Sequence, residues 1–104
     1  MSGPVQTVYV SNGRGGTVTP IDTATNTPEP PIAVGVNRPG LHNQPDGIAI
    51  TPDGKTVYVA NMSPGTVIPI QTATNTALAP IKVGRGACGI AVMQHGGRAE
   101  TKSR

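Results

Sequence analysis

The chain carries one passage twice. Thr7-Val8-Tyr9-Val10 returns as Thr56-Val57-Tyr58-Val59, and Thr23-Ala24-Thr25-Asn26-Thr27 returns as Thr72-Ala73-Thr74-Asn75-Thr76. Pro31-Ile32 with Val34-Gly35 returns as Pro80-Ile81 with Val83-Gly84. These pairs share an offset of 49 residues, and residues 7–35 match 56–84 at 19 of 29 positions. A further pair, Gly47-Ile48-Ala49-Ile50 and Gly89-Ile90-Ala91-Val92, is offset by 42. The underlying unit is therefore 42 residues, and its first copy carries seven extra near 36–42. Self-similarity at such a period marks a solenoid, a propeller or another array, in which each unit needs its neighbours to bury its apolar face.

The local pattern within each unit is β. Short β-branched runs alternate with turn residues, and no segment has helical spacing with caps. Strands are predicted near 7–11, 17–22, 31–34, 47–51, 56–60, 66–71, 80–83 and 89–93. Thr51-Pro52-Asp53-Gly54-Lys55 reads as a tight turn, with proline presetting one angle and Gly54 accepting the positive φ. Asn26 and Asn75 are suited to the left-handed conformation within their turns. Pro20 and Pro69 each fall in the third strand of a unit and cannot donate to the ladder, which places that strand near an edge or makes it bulged. Alternation assigns the core to Val8, Val10, Ile32, Val34, Ile48, Ile50, Val57, Val59, Ile81, Val83, Ile90 and Val92. On that assignment, Ile50→Ala costs about 2–5 kcal/mol.

Composition limits what such a chain can build. Its 104 residues include no Phe or Trp, Tyr9 and Tyr58 are its aromatics, and Gly plus Pro make up 25 positions. Large aromatic side chains usually fill a small core, so this one rests on branched aliphatics. The net charge of +3 is mild. Arg14, Arg38, Lys55, Lys82 and Arg85 are scattered, and Arg98, Lys102 and Arg104 lie in a final stretch without apolar pattern. Nucleic-acid binding calls for a denser basic stripe. No apolar run reaches membrane-span length. Residues 1–6 have neither the basic start nor the apolar centre of a signal peptide. Cys88, the single cysteine, sits among small residues and reads as a small buried hydrophobe.

The combined pattern resembles the YVTN-family β-propeller repeat. The motifs that carry it are Val-Tyr-Val-Ser-Asn at 8–12, Val-Tyr-Val-Ala-Asn at 57–61, Gly-Ile-Ala-Ile-Thr-Pro-Asp-Gly-Lys at 47–55, and Gly-Thr-Val-x-Pro-Ile followed by Thr-Ala-Thr-Asn-Thr. The resemblance spans nearly all of residues 7–92. It implies an all-β fold of two four-stranded antiparallel β-propeller blades, forming a partial propeller or one completed by oligomerisation. It also implies kinship with envelope proteins, surface-layer-like ones among them, often periplasmic or at the cell surface, and with a wider group that includes lactonases.

The expected organisation is a lead at 1–6, a first repeat at 7–46 that starts in mid-blade, a second repeat at 47–88, an orphan first strand at 89–93 and a basic tail at 94–104. A full ring needs about four to eight blades. The expected partners are therefore other copies of the chain, as a trimer or tetramer, or further blades.

Residues able to carry chemistry are sparse. Asp46 and Asp53 each belong to Pro-Asp-Gly turns, which explain them. His42, Asn43 and Asp46 are neighbours in a loop, and neither His42 nor His95 has a partner at ligand spacing. No metal or cofactor is expected. Gly13-Arg14-Gly15-Gly16 and Gly84-Arg85-Gly86 lack the following helix that a phosphate cradle requires. Two-blade lectins bind sugars by stacking on tryptophan, and this chain has none. Arg38, His42 and Arg85 remain as candidate loop contacts. The expected role is a non-catalytic structural or interaction module. The rivals are part of a lactonase-like hydrolase and a truncated reading frame without independent function.

Overall fold

The computed structural model describes residues 6–13, 15–34, 45–62 and 65–93. Among these residues nine strands follow in order: β1 (Thr7–Asn12), β2 (Thr17–Asp22), β3 (Thr27–Pro28), β4 (Ile32–Ala33), β5 (Pro45–Ile50), β6 (Thr56–Asn61), β7 (Thr66–Gln71), β8 (Thr76–Ala77) and β9 (Ile81–Lys82). They form two antiparallel sheets, and no helix occurs among the described residues. These sheets are β-propeller blades, built on the 49-residue repeat. The registers obey the repeat: Val8↔Ile21 and Val10↔Thr19 in the first sheet match Val57↔Ile70 and Val59↔Ile68 in the second.

The turns form as residue chemistry dictates. Gly54 has φ +74°, its N–H donates to the Thr51 carbonyl at 2.8 Å, and Thr51 Oγ1 donates to Asp53 Oδ1 at 2.7 Å. Asn26 and Asn75 take φ values of 56° and 54°.

The fourth strand of each blade is longer than expected and broken in the middle. β3 and β4 both pair with β2, and β8 and β9 both pair with β7. The break explains how the prolines are tolerated. In an antiparallel strand a residue's N–H and C=O point to the same side. The carbonyl of Pro69 accepts from Leu78 N–H, and that of Pro20 from Glu29 N–H, each at 2.8 Å. The N–H that each proline lacks therefore faces the interruption in its neighbour. β2 and β7 are interior strands next to the edge of each sheet, and the irregularity lies in the adjoining edge strand.

One hydrophobic cluster joins the sheets. It consists of Val18, Ile32 and Val34 from the first and Val57, Val59, Ile68 and Ile70 from the second, with Tyr9, Ile48 and Ala77 packed against it. This corrects the sequence-derived core. Val8, Val10, Ile50, Ile81 and Val83 are exposed, Ile48, Ile90 and Val92 are partly buried, and Val18, Ile68 and Ile70 take their place. Alternation tells which residues share a face and is silent on which face is covered.

Residues 89–93 join no ladder among the described residues. They nevertheless run beside the second sheet. A Cβ on Gly47 of β5 would lie 1.9 Å from the Cys88 carbonyl oxygen and 3.2 Å from Ile90 Cγ2, so this approach requires glycine. The seven-residue insertion near 36–42 falls outside the described residues.

Candidate functional site

Pairing register sorts each blade into two faces. On the first blade, Tyr9, Ser11, Val18, Pro20, Ile32 and Val34 share the face turned toward the second blade. On the second, Val57, Val59, Asn61, Thr66, Ile68 and Ile70 share the face turned back toward the first. Polar contacts lock the junction. Tyr9 Oη donates to Asn75 Oδ1 at 2.7 Å, and Asn75 Nδ2 donates to Glu29 Oε1 at 3.4 Å. Asn61 Nδ2 donates to the Val34 carbonyl at 3.0 Å, and Ser11 Oγ to the Asp46 carbonyl at 2.8 Å. Burial first, and the Glu29 carboxylate second, hold the Tyr9 phenol above its ordinary pKa.

Each blade has a second face, and the repeat determines what it carries. The outer face of the first blade bears Val8, Val10, Asn12, Thr17, Thr19 and Ile21. Against their equivalents on the buried face of the second blade, these six differ by Thr19 in place of Ile68, and their register partners differ by Pro28 for Ala77 and Ala33 for Lys82. The outer face of the second blade bears Tyr58, Ala60, Val67, Pro69, Ile81 and Val83. These six differ from their equivalents on the buried face of the first by Ala60 in place of Ser11, and at the end of the same face Gln71 stands in place of Asp22. Four repeat-equivalent pairs of identical type occupy opposite environments, while Pro20 and Pro69 are both buried and Tyr9 and Tyr58 both partly buried. Val57 and Val59 are 1% and 0% exposed, whereas Val8 and Val10 are 47% and 39%. Ile32 and Val34 are 8% and 0% exposed, whereas Ile81 and Val83 are 47% and 56%. The two outer faces carry largely the same residue types as the two inner faces already in contact.

A groove opens beside the first of these faces. β1 pairs with β2 along one edge only, among the described residues. Between its free edge and β5 lies a cavity of about 150 Å³ lined by Thr7, Tyr9, Ile48, Ala49, Ile50 and Val57. It continues into a wider, more polar cleft of about 520 Å³ that shares Thr7, Tyr9 and Ile50.

The residues singled out from sequence do not converge. Arg38 and His42 lie outside the described residues, as do Asn43 and His95. Arg85 is exposed in a turn, where the following Gly86 N–H donates to the Met62 carbonyl at 2.8 Å. Asp46 is exposed and contributes its main-chain carbonyl to the blade junction. Cys88 is exposed, which corrects the buried reading: its small neighbours reflect the tight approach to Gly47. Among the described residues, no three of His, Cys, Asp and Glu are grouped to hold a metal ion. Sequence reasoning missed the Tyr9–Asn75–Glu29 chain. Its signal was available in part, because Tyr and Asn both recur at the 49-residue offset.

No protein-family model matches the chain, and no curated protein matches it. Among solved structures the fold is similar to Kuenenia stuttgartiensis hydrazine synthase, with a TM-score of 0.70 and 32% identity over 80% of this chain. The chain spans 22% of the length of that protein.

Proposed function

We propose that this chain is a non-catalytic assembly module, a pair of YVTN-type blades whose outer faces bind blades of the same kind. The supporting observation is the near-identity of the exposed faces to the buried ones. A contact of this sort is head-to-tail, so it either closes into a ring or continues as a filament. Copies of a two-blade unit close as a trimer or a tetramer, of six or eight blades, within the range of about four to eight known for such rings.

Native mass by light scattering tests this reading. The expected result is a trimer or tetramer in which the apolar residues of both outer faces are protected. A folded, stable monomer at micromolar concentration overturns it.

The similarity to a portion of hydrazine synthase favours one second reading, in which the blade pair belongs to a larger enzyme and supports chemistry carried elsewhere. Under either reading the chain itself turns over no lactone, with or without added divalent metal. Metal-dependent hydrolysis abolished by Asp46→Asn or His42→Ala would instead establish a lactonase-like site.

A further inference from the structure

We propose that the groove between β1 and β5 receives residues 89–93 of a second copy, added as a strand along the free edge of β1. This deepens the assembly reading and rests on it, because it names the segment and the register by which copies join.

Three observations carry the inference. The first is the open edge. An unpaired strand edge offers a row of N–H and C=O groups to an incoming strand, and adjacent side-chain pockets then select its sequence. The second is the groove itself. Its lining is mostly apolar, and it lies where the repeat calls for a strand: β6 is flanked by β5, whereas its equivalent β1 is flanked by the cavity. The third is the composition of residues 89–93. Gly89-Ile90-Ala91-Val92 repeats Gly47-Ile48-Ala49-Ile50 of β5 with one conservative change, yet it joins no ladder among the described residues. The contact of Cys88 with Gly47 holds this segment beside the second blade, at the end of the chain's stack where another copy would meet it.

The register follows from the repeat. β5 pairs with β6 as Ile48↔Val59, Ala49↔Tyr58 and Ile50↔Val57. Carrying β5 forward by 42 residues and β6 back by 49 gives Ile90↔Val10, Ala91↔Tyr9 and Val92↔Val8 between two copies. Ala91 then enters the groove on the Tyr9 side, where its small side chain meets Ile48 and Ile50. Ile90 and Val92 extend the exposed apolar face of Val8 and Val10. The tight approach is also repeated: Gly89 of the incoming strand takes the place of Gly47, and the Asp46 carbonyl takes the place of the Cys88 carbonyl. A Cβ at Gly89 meets nothing within 4 Å in this chain, so Gly89→Ala is harmless to the fold and obstructs only the joint.

The test is disulfide trapping in full-length chains carrying Cys88→Ser. A chain with Val10→Cys is mixed with one carrying Ile90→Cys, distinguished by a tag, under mild oxidation. Val8→Cys with Ile90→Cys serves as the off-register pair. The expected result is a mixed dimer forming at least about tenfold faster for the in-register pair, and lost when Gly89→Ala is added. Equal rates for the two pairs, in chains that light scattering shows to be oligomeric, overturn strand insertion and leave face-to-face assembly standing. A folded monomer with neither cross-link overturns both. Should the cysteine variants not fold, hydrogen exchange of the wild-type chain decides. Protection of the Thr7, Tyr9 and Ser11 amides, which face the free edge of β1, supports the insertion where it rises with protein concentration. Protection that is absent at every concentration, or present and independent of it, overturns the insertion, the latter because the groove is then filled within one chain.

Discussion

The hydroxyl of Tyr9 donates to Oδ1 of Asn75 across the blade junction at 2.7 Å, 66 residues away in sequence. Both residues recur in the repeat, as Tyr58 and Asn26. Asn75 is placed by its left-handed backbone, φ 54°, and Asn26 is placed likewise at 56°. A bond made once inside the chain is thus prepared a second time at its outer faces.

Tyr9→Phe should lower stability by about 0.5–1.5 kcal/mol, the usual net worth of such a hydrogen bond. Tyr58→Phe should leave the dilute chain within about 0.5 kcal/mol of wild type, as for other surface changes. It should weaken the assembled form instead. Urea melts at low and high protein concentration separate the two effects.

Ile70→Ala should cost about 2–5 kcal/mol, because Ile70 is fully enclosed between the sheets. Ile50→Ala should cost less than about 1 kcal/mol in the dilute chain, since nearly half of Ile50 is exposed. Equal losses at the two positions in chemical denaturation would contradict the packing described here.

Gly47→Ala should destabilise by about 1–3 kcal/mol, because the Cys88 carbonyl cannot stay where it is. Gly89→Ala should be neutral at low concentration. Hydrogen exchange over residues 86–93 should rise for the first variant and stay unchanged for the second.

Stability should fall on the alkaline side. Burial raises the folded pKa of Tyr9 above the unfolded value, so the unfolded chain binds fewer protons between the two. The stabilisation is complete below the ordinary phenol pKa of about 10. It is lost as pH rises through the folded value. Thermal melts across this window should show a decline that Tyr9→Phe reduces.

The acid side runs in the opposite sense. Asp53 accepts from Lys55 N–H and from Thr51 Oγ1, and these bonds hold its pKa below the ordinary one. Its small contribution is present above the ordinary aspartate value and is lost as pH falls through the folded value. Asp53→Asn should flatten that part of the acid unfolding profile.

The architecture was legible in the sequence because repetition and alternation are local properties. The repeat at 49 and 42 residues, the β-branched runs, the Pro-Asp-Gly turn at 52–54 and the left-handed asparagines were all readable without a third dimension. So were the pairs of residues that share a face, since side chains alternate along a strand. Tertiary structure alone decided which faces meet. Val10 and Val59 are the same residue in the same motif, and one is exposed while the other is buried. Nothing local distinguishes them, because burial belongs to whatever packs against a face. The prolines show the same division. Pro20 and Pro69 mark a strand near an edge or bulged, but how the missing N–H is accommodated depends on what lies opposite it, and here the opposing strand is itself broken. The groove beside β1 likewise exists only as a relation between β1 and β5, which become neighbours only when the blades stack.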